Sequence, residues 1–144
     1  VDGEVDVRSA LPVAIKANAE TYLNPPIRNF GAKGIRKTSK LVPTWAEDLS
    51  VAAMQQVGMV MEDGGTGGAL FRNFYRDFLT EANGYINMPE ILKARDLFAD
   101  VAPMWSTVAE KISSATSESL QEASRILLEI ADIEEKAMTV LANL

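Results

Sequence analysis

The sequence contains no cysteine and no histidine. Without cysteine there is no disulfide, no thiolate metal site and no cysteine nucleophile. Without histidine the usual general base near neutral pH is missing, and so is the usual zinc ligand. No apolar run approaches the roughly 18 residues that a membrane span needs. A surplus of positive charge is also lacking. Fourteen Lys and Arg stand against 20 Asp and Glu, for a net charge of −6 and a pI near 4.7. Such a balance disfavours nucleic acid or an anionic membrane surface as a partner. No signal peptide and no disulfide framework are visible, so a reducing, cytoplasmic setting is expected.

What is present is ordinary globular material. Hydrophobic residues make up 47 % and charged residues 24 % of 144 positions, enough for one domain with a real core. The chain begins at Val1 rather than Met, which raises the expectation that it is a C-terminal fragment of a larger protein.

Residues 1–8, VDGEVDVR, read as an extended lead-in, and residues 9–144 as a single helical domain. Ser9 is the expected N-cap of a first helix, with Pro12 in its first turn. That helix runs to Leu23 and stops at Asn24-Pro25-Pro26, because proline cannot continue the hydrogen-bond ladder. Residues 30–42 read as a short second helix after an FGAKG turn. Ile35 and Leu41 are its anchors, and Arg36, Lys37 and Lys40 face solvent. Thr44 with Glu47 forms a candidate capping box for a third helix over residues 45–62. Its apolar positions are Leu49, Ala52, Ala53, Val57, Val60 and Met61.

After the glycine-rich residues 64–68, a fourth helix carries Leu70, Phe74, Phe78 and Ala82 every four residues, beside Phe71, Tyr75 and Leu79. A strip this wide and aromatic is expected in the core, with Arg72, Asn73, Arg76, Asp77 and Glu81 opposite. Asn83-Gly84 is the expected C-cap. A fifth helix from Pro89 places Ile91, Phe98, Trp105 and Ile112 at intervals of seven, with Ala94, Val101 and Val108 between. Pro103 lies inside it, where a kink is expected. Residues 113–119 read as a small polar linker. A sixth helix over residues 118–144 shows Ile126, Ile130, Ile133, Ala137 and Leu141 in register, with Leu120, Ala123 and Leu127 widening the face. The fold class is therefore all-α, an irregular bundle of about six helices ending in an antiparallel helix hairpin.

Two features offer chemistry. The segment EDGGTGGALFRNFYRDFL opens a helix with glycines, as phosphate-binding loops do. A P-loop needs a lysine where Ala69 stands, and a dinucleotide fingerprint needs a glycine where Leu70 stands. What survives is an anion held by free amides at Gly65, Thr66, Gly67 and Gly68 with Arg72 one turn in. The other reading is a tight helix entry that needs glycine for positive φ and close approach. The pairs Glu62-Asp63 and Glu134-Glu135 would suit a di-metal bundle, but that class also needs Glu-x-x-His. Glu134 is therefore expected to be solvated or capping. No catalytic residue, metal ligand or cofactor is assigned to this chain.

The stretches NFGAKGIRKTSKLVPTW (29–45) and GGTGGALFRNFYRDFLTEA (64–82) resemble the C-terminal domain of the butirosin-biosynthesis BtrH-like family, a domain of unknown function in bacterial proteins. APMWSTVAEKI (102–112) and LLEIADIEEKAMTVL (127–141) look like the remainder of that domain. The resemblance implies an upstream catalytic domain in the same polypeptide, similar to papain-like cysteine enzymes and acting as an acyltransferase or peptidase. It also implies an acyl carrier protein or a small-molecule amine as a further partner. In that setting the glycine turn is either an exacting helix junction or a wall of the upstream cleft. Two rival functions are a stand-alone helical interaction or homodimerisation module, and an enzyme acting through a carboxylate or lysine of shifted pKa.

Overall fold

A computed structural model of the chain describes residues 6–25, 31–63 and 69–144, with no strand among them. The element order is α1 (Val7–Leu23), α2 (Gly31–Leu41), a 3-10 turn (Val42–Thr44), α3 (Trp45–Asp48), α4 (Val51–Asp63), α5 (Ala69–Ile86), α6 (Pro89–Ser114) and α7 (Ser117–Ala142). The expected all-α bundle is what forms.

The spine is the hairpin of α6 and α7. On α6 the buried positions include Ile91, Ala94, Phe98, Val101, Trp105, Val108 and Ile112, the seven-residue repeat read from the sequence, and Ala102 and Ala109 beside it. The helix runs unbroken through Pro103. On α7 the same three-four alternation continues through Leu120, Ala123, Leu127, Ile130, Glu134, Ala137 and Leu141, all buried. Two such seams facing each other make the packing of an antiparallel pair.

The turn between them is tighter than the linker expected over residues 113–119. Only Ala115 and Thr116 are non-helical. Ala115 takes a left-handed φ of 57°, unusual for a residue with a Cβ. Thr116 then caps α7, its hydroxyl accepting from the Ser119 amide at 3.0 Å while the Ser119 hydroxyl accepts from the Thr116 amide at 3.0 Å. These reciprocal bonds satisfy two end groups and draw the helix start forward.

Four helices cover the hairpin, α4 and α5 against α6, α1 and α2 against α7. Near the hairpin turn, Met54 of α4 and Ala32 and Ile35 of α2 join Val108, Ile112, Leu120, Ala123 and Leu127. Near the open end, Ile15 and Ala19 of α1 and Tyr75, Leu79 and Ala82 of α5 join Ile91, Phe98, Ala137 and Leu141. Helix α4 can approach α6 closely because position 58 is glycine. A Cβ there would lie 2.7 Å from the Ala109 carbonyl and would also meet the Ser113 hydroxyl. Helix α2 is tied to α7 by Ser39 and Ser124, each hydroxyl donating to the other's carbonyl, at 2.8 and 2.6 Å.

Several expected boundaries move. Asp6, not Ser9, caps α1, because its carboxylate accepts from the Arg8 amide and the Ser9 hydroxyl. Val7 and Arg8 are thus helical rather than extended. Gly31 to Gly34 belong to α2 and not to a turn, with Gly31 at φ 64° and no room for a Cβ beside the Tyr22 carbonyl. Leu41 is exposed. Arg36 is no solvent-facing cation, since it binds Asp132 at 2.9 Å and Glu135 at 2.7 Å. Thr44 caps nothing. Its hydroxyl donates back to Leu41, the chain breaks at Leu49, and Ser50 accepts from the Ala53 amide at the start of α4. On α4 Met54 and Gly58 are buried and the expected Val57 and Met61 pack against the core, as does Leu49 before the helix, while Ala52 is exposed. Helix α5 passes through Gly84 and ends at Asn87, φ 47°. Asparagine tolerates the left-handed conformation, and the Asn83 side chain accepts from the Met88 amide at 2.8 Å.

Candidate functional site

Helix α5 departs most from its expected orientation. At about 100° per residue, Leu70, Phe74, Tyr85, Phe78 and Phe71 occupy one arc, and Ala82, Tyr75, Leu79 and Arg72 the arc beside it. The bundle covers only the second. Tyr75, Leu79, Ala82 and Arg72 are buried, whereas Leu70, Phe71, Phe74 and Phe78 are 47, 47, 65 and 40 % exposed. Phe74 and Phe78 are therefore not core residues. The groove against α6 has room for one arc, and the arc containing an arginine fits because the opposite wall supplies a carboxylate.

That carboxylate is Glu134, 0 % exposed. Its oxygens accept from Arg72 Nε at 2.7 Å, Arg72 Nη2 at 2.8 Å, the Tyr22 hydroxyl at 2.8 Å and Trp105 Nε1 at 2.9 Å. An ionised carboxylate offers about four acceptor positions, and four donors fill them. The guanidinium lies 4.8 Å from the Trp105 ring centre and 5.3 Å from that of Phe71. Four helices meet here: α1 through Tyr22, α5 through Arg72, α6 through Trp105 and α7 through Glu134. Burial first, then the negative charge of Glu134, pushes the Tyr22 hydroxyl well above the ordinary tyrosine range. It stays a donor at any physiological pH.

The arrangement is chemically closed. It holds an ion pair away from water and locks four helices in register. A saturated carboxylate is poorly placed to take a substrate proton. Glu134 is thus neither solvated nor capping. The signal was in the spacing: Glu134 falls on the seam of Leu127, Ile130, Ala137 and Leu141, and Arg72 on that of Tyr75, Leu79 and Ala82. Two opposite charges at seam positions of two helices predict each other. Among the sequence-predicted site residues, Arg72 is placed in this cluster, its Nε and Nη2 directed at Glu134. Gly65, Thr66, Gly67 and Gly68 lie outside the described residues, as do the side chains of Glu62 and Asp63. Among the described residues no group of three or more carboxylates is placed to hold a metal ion, and no helix is long and apolar enough to cross a membrane.

Beside the cluster the exposed arc is ordered by stacking. Tyr75 stacks on Phe71 at 6.0 Å and on Phe78 at 5.7 Å between ring centres, and meets Phe98 edge-on at 5.0 Å. Its hydroxyl accepts from Asn18 at 3.0 Å. Phe71 and Phe78 are therefore braced from below by a buried tyrosine.

No curated protein matches the chain, and no solved structure does. The family described as "Domain of unknown function (DUF4872)" matches residues 1–141, and the chain belongs to it.

Proposed function

We propose that this is an accessory domain, and that the exposed aromatic arc of α5 seats an adjoining domain of the same polypeptide. Following the resemblance to the BtrH-like family, that domain is a cysteine-dependent acyltransferase or peptidase-like unit. The helical domain buttresses it and shapes the site for an amine acceptor or carrier protein. The carrying observation is the half-covered apolar side of α5. An aromatic side chain presents on the order of 200 Å², so the exposures of Phe71, Phe74 and Phe78, with Leu70, leave roughly 400 Å² of apolar surface. A stable free dimer needs roughly 800 Å² from each partner, whereas domains within one chain meet over roughly 600–1,500 Å² in total. The arc fits the second class, where tethering supplies effective concentration. In sequence, Gly65, Thr66, Gly67 and Gly68 stand immediately before Ala69, the first residue of α5.

The test replaces Phe74 and Phe78 by arginine. In the isolated chain, melting should stay near that of the parent. In the longer polypeptide, acyl transfer should fall by at least about tenfold, the loss of roughly 1.4 kcal/mol of productive docking. Full transfer with both arginines in place overturns the proposal. So does a sedimentation mass showing the isolated chain as a dimer that the same substitutions dissociate, which would assign the arc to self-association.

A further inference from the structure

Residues 21–46 hold five of the chain's fourteen cations, namely Arg28, Lys33, Arg36, Lys37 and Lys40, and none of its twenty carboxylates. In a chain of net charge −6 this is a local inversion of sign, and α2 organises it. Ala32, Ile35 and Ser39 point into the bundle. Arg36, on the flank, is consumed by Asp132 and Glu135 of α7. Lys33, Lys37 and Lys40 are exposed. They recur at intervals of four and three, which sets them on one line of the helix surface. None of the three forms an ion pair with a described residue. Leu41, 45 % exposed, stands at the end of the row.

We propose that this lysine row is a docking surface for an acidic α-helix of a partner protein. The row spans seven residues, about 10 Å at 1.5 Å rise per residue. Its neighbours sit roughly 5–6 Å apart, the spacing of carboxylates at i, i+4 and i+7 on a second helix laid alongside. Other polyanions fit less well by number. Nucleic-acid binders typically neutralise about 6–10 phosphates, and lipid-binding clusters about four to eight basic residues. Three lysines fall below both, and the acidic remainder of the chain repels an extended polyanion. Beside the row, Asp132 and Glu135 share Arg36, and charges beyond about 10 Å are largely screened from a short acidic helix. Leu41 offers such a helix one apolar contact. The inference is independent of the α5 reading, since α2 lies on α7 and the aromatic arc belongs to the helix packed on α6.

The experiment titrates the isotope-labelled chain with a helical alanine-based peptide carrying Glu at i, i+4 and i+7. Anionic phospholipid vesicles and a short DNA duplex are titrated in parallel. Amide shifts confined to α2 are expected, with an affinity that weakens severalfold as salt is raised through the screening range. The double reversal Lys33→Glu with Lys37→Glu should cost at least about tenfold in affinity, while Lys93→Glu and Arg8→Glu, exposed on α6 and α1, should change it by less than about twofold. All four sites are on the surface, so unchanged melting checks that the fold is retained. The proposal is overturned by no binding at millimolar peptide, by equal loss from the remote reversals, or by tighter binding to vesicles or duplex than to the peptide.

Discussion

The α6–α7 hairpin and α5 solve the same problem in opposite ways. Along the hairpin, apolar residues fill the seam apart from Glu134, and charges such as Lys111 and Glu122 pair outside it at 2.7 Å. On α5 an arginine is buried and three phenylalanines are exposed. The inward inversion is compensated within the chain, because Glu134 meets Arg72 with two hydrogen bonds and Tyr22 and Trp105 complete its shell. The outward inversion has no compensation among the described residues. A buried polar group must be satisfied where it sits, or it costs several kcal/mol. An exposed phenylalanine costs far less, and a partner can cover it later. The contrast separates what serves the fold from what is free to serve an interface.

The sharpest way to break this contrast is to remove the compensation. Glu134→Ala takes the carboxylate away from a buried guanidinium and should destabilise the chain by about 3–5 kcal/mol in denaturant unfolding. Adding Arg72→Met, so that both charges are gone, should recover a large part of that loss. A double variant no better than the single one would mean that the pair is not coupled.

Next comes the ordinary core of the same helix. Leu79→Ala should cost about 2–4 kcal/mol, the usual range for deleting a fully buried leucine. A cost below that range would place the arc of Leu79 outside the core.

A smaller effect is tied to alkaline pH. Tyr22 is held protonated by burial and by Glu134, and burial raises Tyr75 as well. The unfolded chain releases these protons near the ordinary tyrosine value of 10.0. Above it the folded state therefore binds more protons, and stability must fall as pH rises. The expected slope is about 1.4 kcal/mol per pH unit per tyrosine. It is absent below the unfolded value, and Tyr22→Phe should reduce it. An unchanged slope in that variant would refute the assignment.

The smallest effect is the most informative about function. Phe74→Ser should alter the stability of the isolated chain by less than about 0.5 kcal/mol. A loss of the size expected for Leu79→Ala would mean that the exposed arc is structural after all.

Much of this was legible in the spacing of residues. The seam of α6 from Ile91 to Ile112 is a three-four repeat, and it packs as such. On α5 the expected strip spans two arcs. Leu70, Phe74 and Phe78 repeat every four residues and are strongly apolar, while Arg72, Tyr75, Leu79 and Ala82 follow the three-four seam but begin with a charge. Hydrophobicity favoured the first, and the partner on α7 decided for the second. Arg36 looked solvated for the same reason: Asp132 and Glu135 lie nearly a hundred positions away in sequence.

By itself, then, the sequence determined the helical class, the hairpin and the absence of cysteine and histidine chemistry from this chain, because periodicity and composition are local properties. Which arc of α5 turns inward, and that Glu134 and Arg72 meet in the core, only the tertiary structure decided. Burying a charge is costly alone and acceptable beside its counter-ion, and whether the counter-ion is there depends on how four helices pack.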